Sequence, residues 1–234
     1  MSQTLKKIYG SAVFGVDATT ITVEVNVSQG IGYHLVGLPD NAIKESNYRI
    51  AAALQNVGFR IPGKKITINM APADMRKEGS AYDLSLAMGI LAASGQIKAP
   101  DIERYVIMGE LSLDGSLQPI KGALPIAVQA RKEGFDGFIL PIQNANEAAI
   151  VNDLKIYGVS SITEVIDFFN EGKPLQPTII DTRKLFFEQH AKTDIDYADV
   201  KGQEGIKRCM EIVAAGGHNI ILKCNIFSKL CQCN

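Results

Sequence analysis

A chain of 234 residues is long enough for one large domain, or for a domain and part of a second. Hydrophobic residues make up 46% of it and charged residues 21%, with a formal net charge of −1. That balance fits a soluble globular protein and gives no global electrostatic pull toward nucleic acid. No apolar run reaches membrane-spanning length, and the opening MSQTLKKIYG lacks the apolar core of a signal peptide. The expectation is a cytoplasmic protein that makes no contact with a membrane.

Residues 1–37 read as β-rich. In TTITVEVNVS, Ile21, Val23, Val25 and Val27 alternate with Thr22, Glu24 and Asn26, the pattern of a half-buried strand. YHLVGLPD adds a strand that stops at Pro39, and Asp40 stands where it can cap a helix. In that helix, NAIKESNYRIAAALQNVGF, Ile43, Ile50, Leu54 and Val57 recur at helical intervals. KKITINMAP is a strand, and SAYDLSLAMGILAASG is a helix apolar enough to be largely buried. RYVIMGELSLDGSLQPI reads as two strands joined by the turn dipeptide Asp114-Gly115. Helix, strand, helix, strand and helix follow in GALPIAVQARKEG, GFILP, NANEAAIVN, LKIYGVS and SITEVIDFFNEG. An antiparallel start followed by alternating helices and strands predicts an α/β fold with a mixed sheet. The texture changes near Gly172, so the predicted units are a domain over 1–172, a proline-containing linker over 173–194, and a new unit over 195–234.

Two motifs fail on physical grounds. Gly58-Phe-Arg-Ile-Pro-Gly63-Lys64-Lys65 nearly matches a phosphate loop, but Lys65 stands where Ser or Thr would hold magnesium. It also follows a helix and opens a strand, whereas a phosphate loop follows a strand and opens a helix. Of the four cysteines, Cys224, Cys231 and Cys233 crowd the end of the chain with Cys209 further back. Their spacing is not that of a zinc site, and the reading is free thiols and no bound metal. The densest polar stretch is PADMRKEGSAYDL, where Asp74, Arg76, Lys77, Glu78, Ser80, Tyr82 and Asp83 surround the start of the second helix. A solvated loop and a Ser/Lys catalytic site are both compatible with that spacing.

GELSLDGSLQPIKGALPIAVQARKEGFDGFILP resembles the proteolytic domain of Lon proteases, where a similar strand–turn–strand–helix carries the catalytic lysine. KEGSAYDLSLAMGIL resembles the Lon segment that carries the nucleophilic serine. Residues 1–170 are closer still to the N-terminal domain of the ComM (YifB-like) family of magnesium-chelatase-like AAA+ proteins, through VGLPDNAIKES, APADMRKEGSAYDL and GELSLDGSLQPIKGALP. DYADVKGQEGIKRCMEIVAAGGHNIIL resembles the start of the same family's AAA+ module. The resemblance implies a fold of the Lon-protease C-terminal-domain, or ribosomal-protein-domain-2, kind. It also argues against proteolysis: the Lon serine aligns with Ala81, with Ser80 one residue off, and the Lon lysine aligns with Leu124, with Lys121 nearby. A slip of one residue on a helix turns a side chain by about 100°.

For the intact family the resemblance implies a hexameric ATPase that uses ATP and magnesium. It further implies a DNA helicase driving branch migration during uptake of foreign DNA. Val200, Gly202 and Gln203 would then lie near the adenine. HNIIL should be the first buried strand of the ATPase core and lead into the Gly-rich loop known as Walker A. Here KCNIFSKLCQCN follows instead. The expectation is a truncated product, from a frameshift or a premature stop, that binds no cofactor and does not turn over ATP. The strand it leaves behind should be an orphan. Two other functions are open, a Lon-like serine peptidase and a magnesium chelatase subunit. The long Lon-like domain speaks against the second, because true chelatases start directly with the AAA+ module. Residues 1–172 are read as a docking or oligomerisation domain.

Overall fold

The computed structural model describes residues 5–180 and 199–222. The chain divides into two compact units, Met1–Ile180 and Asp181–Asn234. The first is built on a seven-stranded sheet in the order β3-β4-β2-β1-β5-β8-β9. Its strands are β1 (Leu5–Phe14), β2 (Asp17–Ser28), β3 (Gly32–Val36), β4 (Lys65–Ala71), β5 (Tyr105–Ile107), β8 (Gly137–Pro141) and β9 (Lys155–Val159). The pairs β1–β2 and β2–β4 are antiparallel, and the other four pairs are parallel. The predicted mixed α/β sheet is therefore found, with most pairings parallel.

Local chemistry fixes the first elements where the sequence suggests. Phe14 pairs with Asp17 across the two-residue turn Gly15-Val16, and Gly15 takes a φ of +62°, which a glycine adopts without strain. The alternation in β2 puts Ile21, Val23, Val25 and Val27 in the core. Helix α1 (Asn41–Asn56) is capped by Asp40, whose carboxylate accepts the Ile43 N–H at 2.9 Å. Helix α2 (Asp83–Ala93) follows a single 3₁₀ turn, Ser80–Tyr82, and all eleven of its residues are buried. It lies so close to the sheet that a Cβ on Gly89 would come within 2.6 Å of Val25 and 2.9 Å of Ile8. The start of α3 (Ala123–Lys132) sits against the opposite face, where a Cβ on Gly122 would meet Val13 at 2.9 Å. Helices α4 (Ile142–Ala148) and α5 (Ile162–Glu171) pack on the β8–β9 half of the sheet.

RYVIMGELSLDGSLQPI differs from the expected pair of strands. Its first part is β5 of the main sheet, and the hairpin is a separate ribbon of β6 (Glu110–Leu111) and β7 (Leu117–Gln118). The turn is at the expected dipeptide, with Gly115 at a φ of +87° and Ser112 N–H donating to Ser116 O at 2.9 Å. Beyond α5, residues 173–180 hold no regular structure, yet the Thr178 N–H donates to Ile156 O at 2.7 Å and Leu175 packs on the core. The remainder of the predicted linker, 181–194, lies outside the described residues.

In the second unit, helix α6 (Glu204–Gly216) has no buried residue. The expected strand HNIIL is not formed: residues 218–222 carry no strand, and Ile221 is 94% exposed. A strand is defined by its ladder, and among the described residues no partner pairs with this segment. Residues 223–234, with Cys224, Cys231 and Cys233, lie outside the described residues, while Cys209 is a free exposed thiol. Among the described residues, no helix is long and apolar enough to cross a membrane.

Candidate functional site

The polar stretch does not act as one loop. Its residues divide between structural anchors and the wall of a cleft.

Lys77, Tyr82 and Asp83 are anchors. Lys77 is buried, and its ammonium donates to Gly37 O at 2.9 Å and also to Pro72 O. Burial holds its pKa below the usual lysine range, with the nearby Asp74 charge opposing that shift. Tyr82 is 2% exposed and donates its hydroxyl to Ser11 O at 2.9 Å; burial pushes its phenol pKa up. Asp83 is 1% exposed at its side chain and receives two hydrogen bonds from Arg49, Nε at 2.8 Å and Nη2 at 3.0 Å. The Leu111 N–H adds a third at 3.3 Å, so this carboxylate ties α1 and the β6–β7 hairpin to the start of α2. Burial raises the Asp83 pKa, and Arg49 works against that rise.

The remaining residues face outward. Asp74 is exposed at the loop following β4. Arg76 and Glu78 form an exposed ion pair at 3.0 Å. Asp40 accepts the Gly79 N–H at 2.9 Å, so the carboxylate that caps α1 also holds the turn before Ser80. Half-buried Ser80 donates its hydroxyl to the carboxylate of Glu110, at the start of the hairpin.

Arg76, Glu78 and Ser80 line a cleft of about 420 Å³ together with Glu110, Lys121 and the last four residues of β1, Ser11–Phe14. This is the size range of small-ligand sites. The cleft lies past the C-terminal end of β5, the side on which open α/β sheets bind their ligands. Its far wall is fixed by Asn144, which accepts the Ile120 N–H at 2.8 Å and donates to Ile120 O at 2.9 Å. Lys121 is exposed and makes no ion pair among the described residues. Ala81, expected from the sequence to stand at the Lon serine position, is half-buried at the cleft, and Leu124, expected at the Lon lysine position, is packed against the core.

Val200, Gly202 and Gln203 belong to the second unit. Gly202 and Gln203 take left-handed backbone angles, φ +70° and +62°, at the start of α6, and Val200 is 40% exposed. Two partners were missed in the sequence reading: Arg49, on α1, and Glu110. Glu110 stands inside the motif GELSLDG, and the one available signal was that a carboxylate opens a hairpin next to a serine-bearing turn.

Residues 23–144 match the family described as Subunit ChlI of Mg-chelatase, which is a little over half of the chain. Competence protein ComM of Haemophilus influenzae is 40% identical over 217 residues, covering 92% of this chain and 42% of that protein. The uncharacterized protein YifB of Escherichia coli is 41% identical over 223 residues, 93% of this chain and 42% of its own length. Lon protease 2 of Bacillus subtilis is 28% identical over 126 residues, 53% of this chain and 22% of that one. The chain belongs to the ComM family of magnesium-chelatase-like AAA+ proteins, and it spans less than half the length of the ComM and YifB relatives.

Proposed function

We propose that the chain is the N-terminal portion of a ComM-type ATPase, and that residues 1–172 are a Lon-like docking and oligomerisation domain without peptidase activity. The carrying observation is the partner of Ser80. Its hydroxyl is bound to a carboxylate, Glu110, and in this reading Ala81 and Leu124 are the residues that align with a Lon-type serine and lysine. Alanine offers no nucleophile, and leucine accepts no proton. The whole protein, in this reading, is a cytoplasmic hexamer that uses ATP and magnesium to drive branch migration of DNA during competence. Val200, Gly202 and Gln203 lie at the adenine side of its nucleotide site. The 234 residues contain no phosphate loop in a strand-to-helix context, so the reading assigns them no ATP turnover of their own.

A second reading, a Lon-like serine peptidase, draws on the shared cleft of Ser80 and Lys121. A fluorophosphonate probe separates the two. The docking reading expects no adduct at Ser80 by peptide mapping; labelling of Ser80 that disappears in Lys121→Met would establish the peptidase instead. Phosphate release from ATP by the purified chain, lowered by Gln203→Ala, would refute the assignment of no turnover.

A further inference from the structure

β3 is a bare edge. It ends the seven-stranded sheet and pairs with β4 alone, in an unbroken register from Gly32 to Val36. In a parallel pair, alternate residues of a strand aim their N–H and C=O groups away from the partner. Among the described residues, no group meets the outward side of β3. The other edges of the first unit are treated differently. At the far end of the sheet, β9 opens on the exposed Lys155, and its Ile156 carbonyl accepts the Thr178 N–H at 2.7 Å. The β6–β7 ribbon is held on both sides: Asp83 accepts the Leu111 N–H, Asn56 donates to Leu113 O, and the Leu117 N–H donates to Ser160 O.

An edge that must stay in water is guarded by a lysine, a proline or a bulge that turns other strands away. β3 has none of these. Residues 28–39, SQGIGYHLVGLP, carry no charge, and Pro39 falls after the strand. An unguarded edge is a template for another strand.

The strand fits a second copy of itself. Antiparallel pairing of two β3 strands about His34 sets Gly32 opposite Val36 and Tyr33 opposite Leu35, each pair occurring twice. Val36 is 49% exposed, and Gly32 leaves room for it. The His34 ring already leans over that room, since a Cβ on Gly32 would meet its Nε2 at 2.9 Å. Tyr33 and Leu35 are half-buried against the core, and an aromatic side chain opposite an aliphatic one is a favourable cross-strand pair. No charge is set against a like charge, and the strand offers a charged peptide nothing to pair with.

We propose that β3 docks against β3 of a second copy of this chain, antiparallel about a two-fold axis at His34, so that the two sheets run on as one. The proposal rests on the oligomerisation reading above and names the surface used. The contact is isologous and closes at two copies, so it is separate from any head-to-tail contacts that close a ring.

Sedimentation velocity of the full chain in reductant, over a wide range of concentration, should show a monomer–dimer equilibrium and no larger species. His34→Glu sets two carboxylates face to face, and Val36→Lys supplies the missing edge lysine; each should weaken the dimer by about tenfold or more. Both positions are exposed, so thermal unfolding of the diluted variants should match wild type. Ile221→Glu, in the second unit, should leave the equilibrium unchanged. Amide exchange needs no variant: as concentration rises, alternate amides of β3 should slow, while those bonded to β4 stay as they were. Association that persists in both β3 variants, or growth past the dimer, overturns the edge contact and leaves the oligomerisation reading standing. A chain that stays monomeric while β3 exchanges freely refutes the contact and, with it, the oligomerising part of that reading.

Discussion

Replacing Arg49 with Met tests what holds the start of α2 in place. The Asp83 carboxylate is 1% exposed and takes two of its three hydrogen bonds from Arg49. Methionine keeps most of the aliphatic length but leaves a buried anion with one backbone donor. Removing one partner of a buried pair costs about 3–5 kcal/mol, and the 25% exposure of Arg49 places this case near 3 kcal/mol. The chain has no tryptophan, so urea unfolding is best followed through the near-ultraviolet dichroism of the Tyr105–Tyr157–Phe168–Phe169 cluster. The pH dependence gives a second, independent reading. Burial already raises the Asp83 pKa in the folded state, and deleting Arg49 removes the main opposing influence, so it rises further. A carboxyl whose folded pKa lies above its unfolded value of ~3.9 binds its proton more readily when folded. The deficit of Arg49→Met is therefore full above the folded pKa and shrinks as pH falls through it. Arg49→Met with Asp83→Leu should recover much of the loss, because the unpaired charge is gone. A deficit under about 1 kcal/mol, the range of surface pairs, or one that widens on acidification, would refute this account of Asp83.

Three further outcomes follow from packing and hydrogen bonding. Gly89→Ala should destabilise by about 1–3 kcal/mol, because its Cβ would meet Val25 at 2.6 Å; a chemical denaturation midpoint equal to wild type would contradict that contact. Asn144→Ala strips both partners from the Ile120 backbone and should cost about 2–3 kcal/mol, with faster amide exchange at Ile120 as the local signature. Tyr82→Phe should cost about 1–2 kcal/mol by leaving Ser11 O without its donor, read by thermal unfolding.

The sequence signals that worked were those in which a residue's neighbours along the chain set its environment. The alternation of β2, the Asp40 cap and the Asp114-Gly115 turn each act within a few residues, and each is found where the pattern put it. Contacts between distant segments were invisible. Lys77 reads in the sequence as part of a solvated loop or of a Ser/Lys site, and not as an anchor, because its acceptors, Gly37 and Pro72, are backbone carbonyls, which leave no mark on the sequence. Arg49 and Asp83 lie 34 residues apart on different helices. Ser80 and Glu110 are brought together only by the placement of the hairpin. HNIIL misled for the opposite reason: its apolar run is a strong local pattern, but a strand also needs a neighbour.

The buried Lys77 ammonium does what a captured potassium or sodium ion does in other loop-rich proteins: it gathers carbonyl oxygens from separate turns around one positive charge. Here the ion is covalently attached. Its local concentration is fixed by the chain, so its occupancy answers to no dissociation constant, no chelator and no change in the ionic composition of the surrounding solution. The loops that carry Gly37, Pro72 and Ser80 therefore keep their mutual arrangement under conditions that would strip a metal-stapled site, and the charge is withdrawn by mutation of Lys77 or by loss of its proton, which burial makes easier than for an exposed lysine.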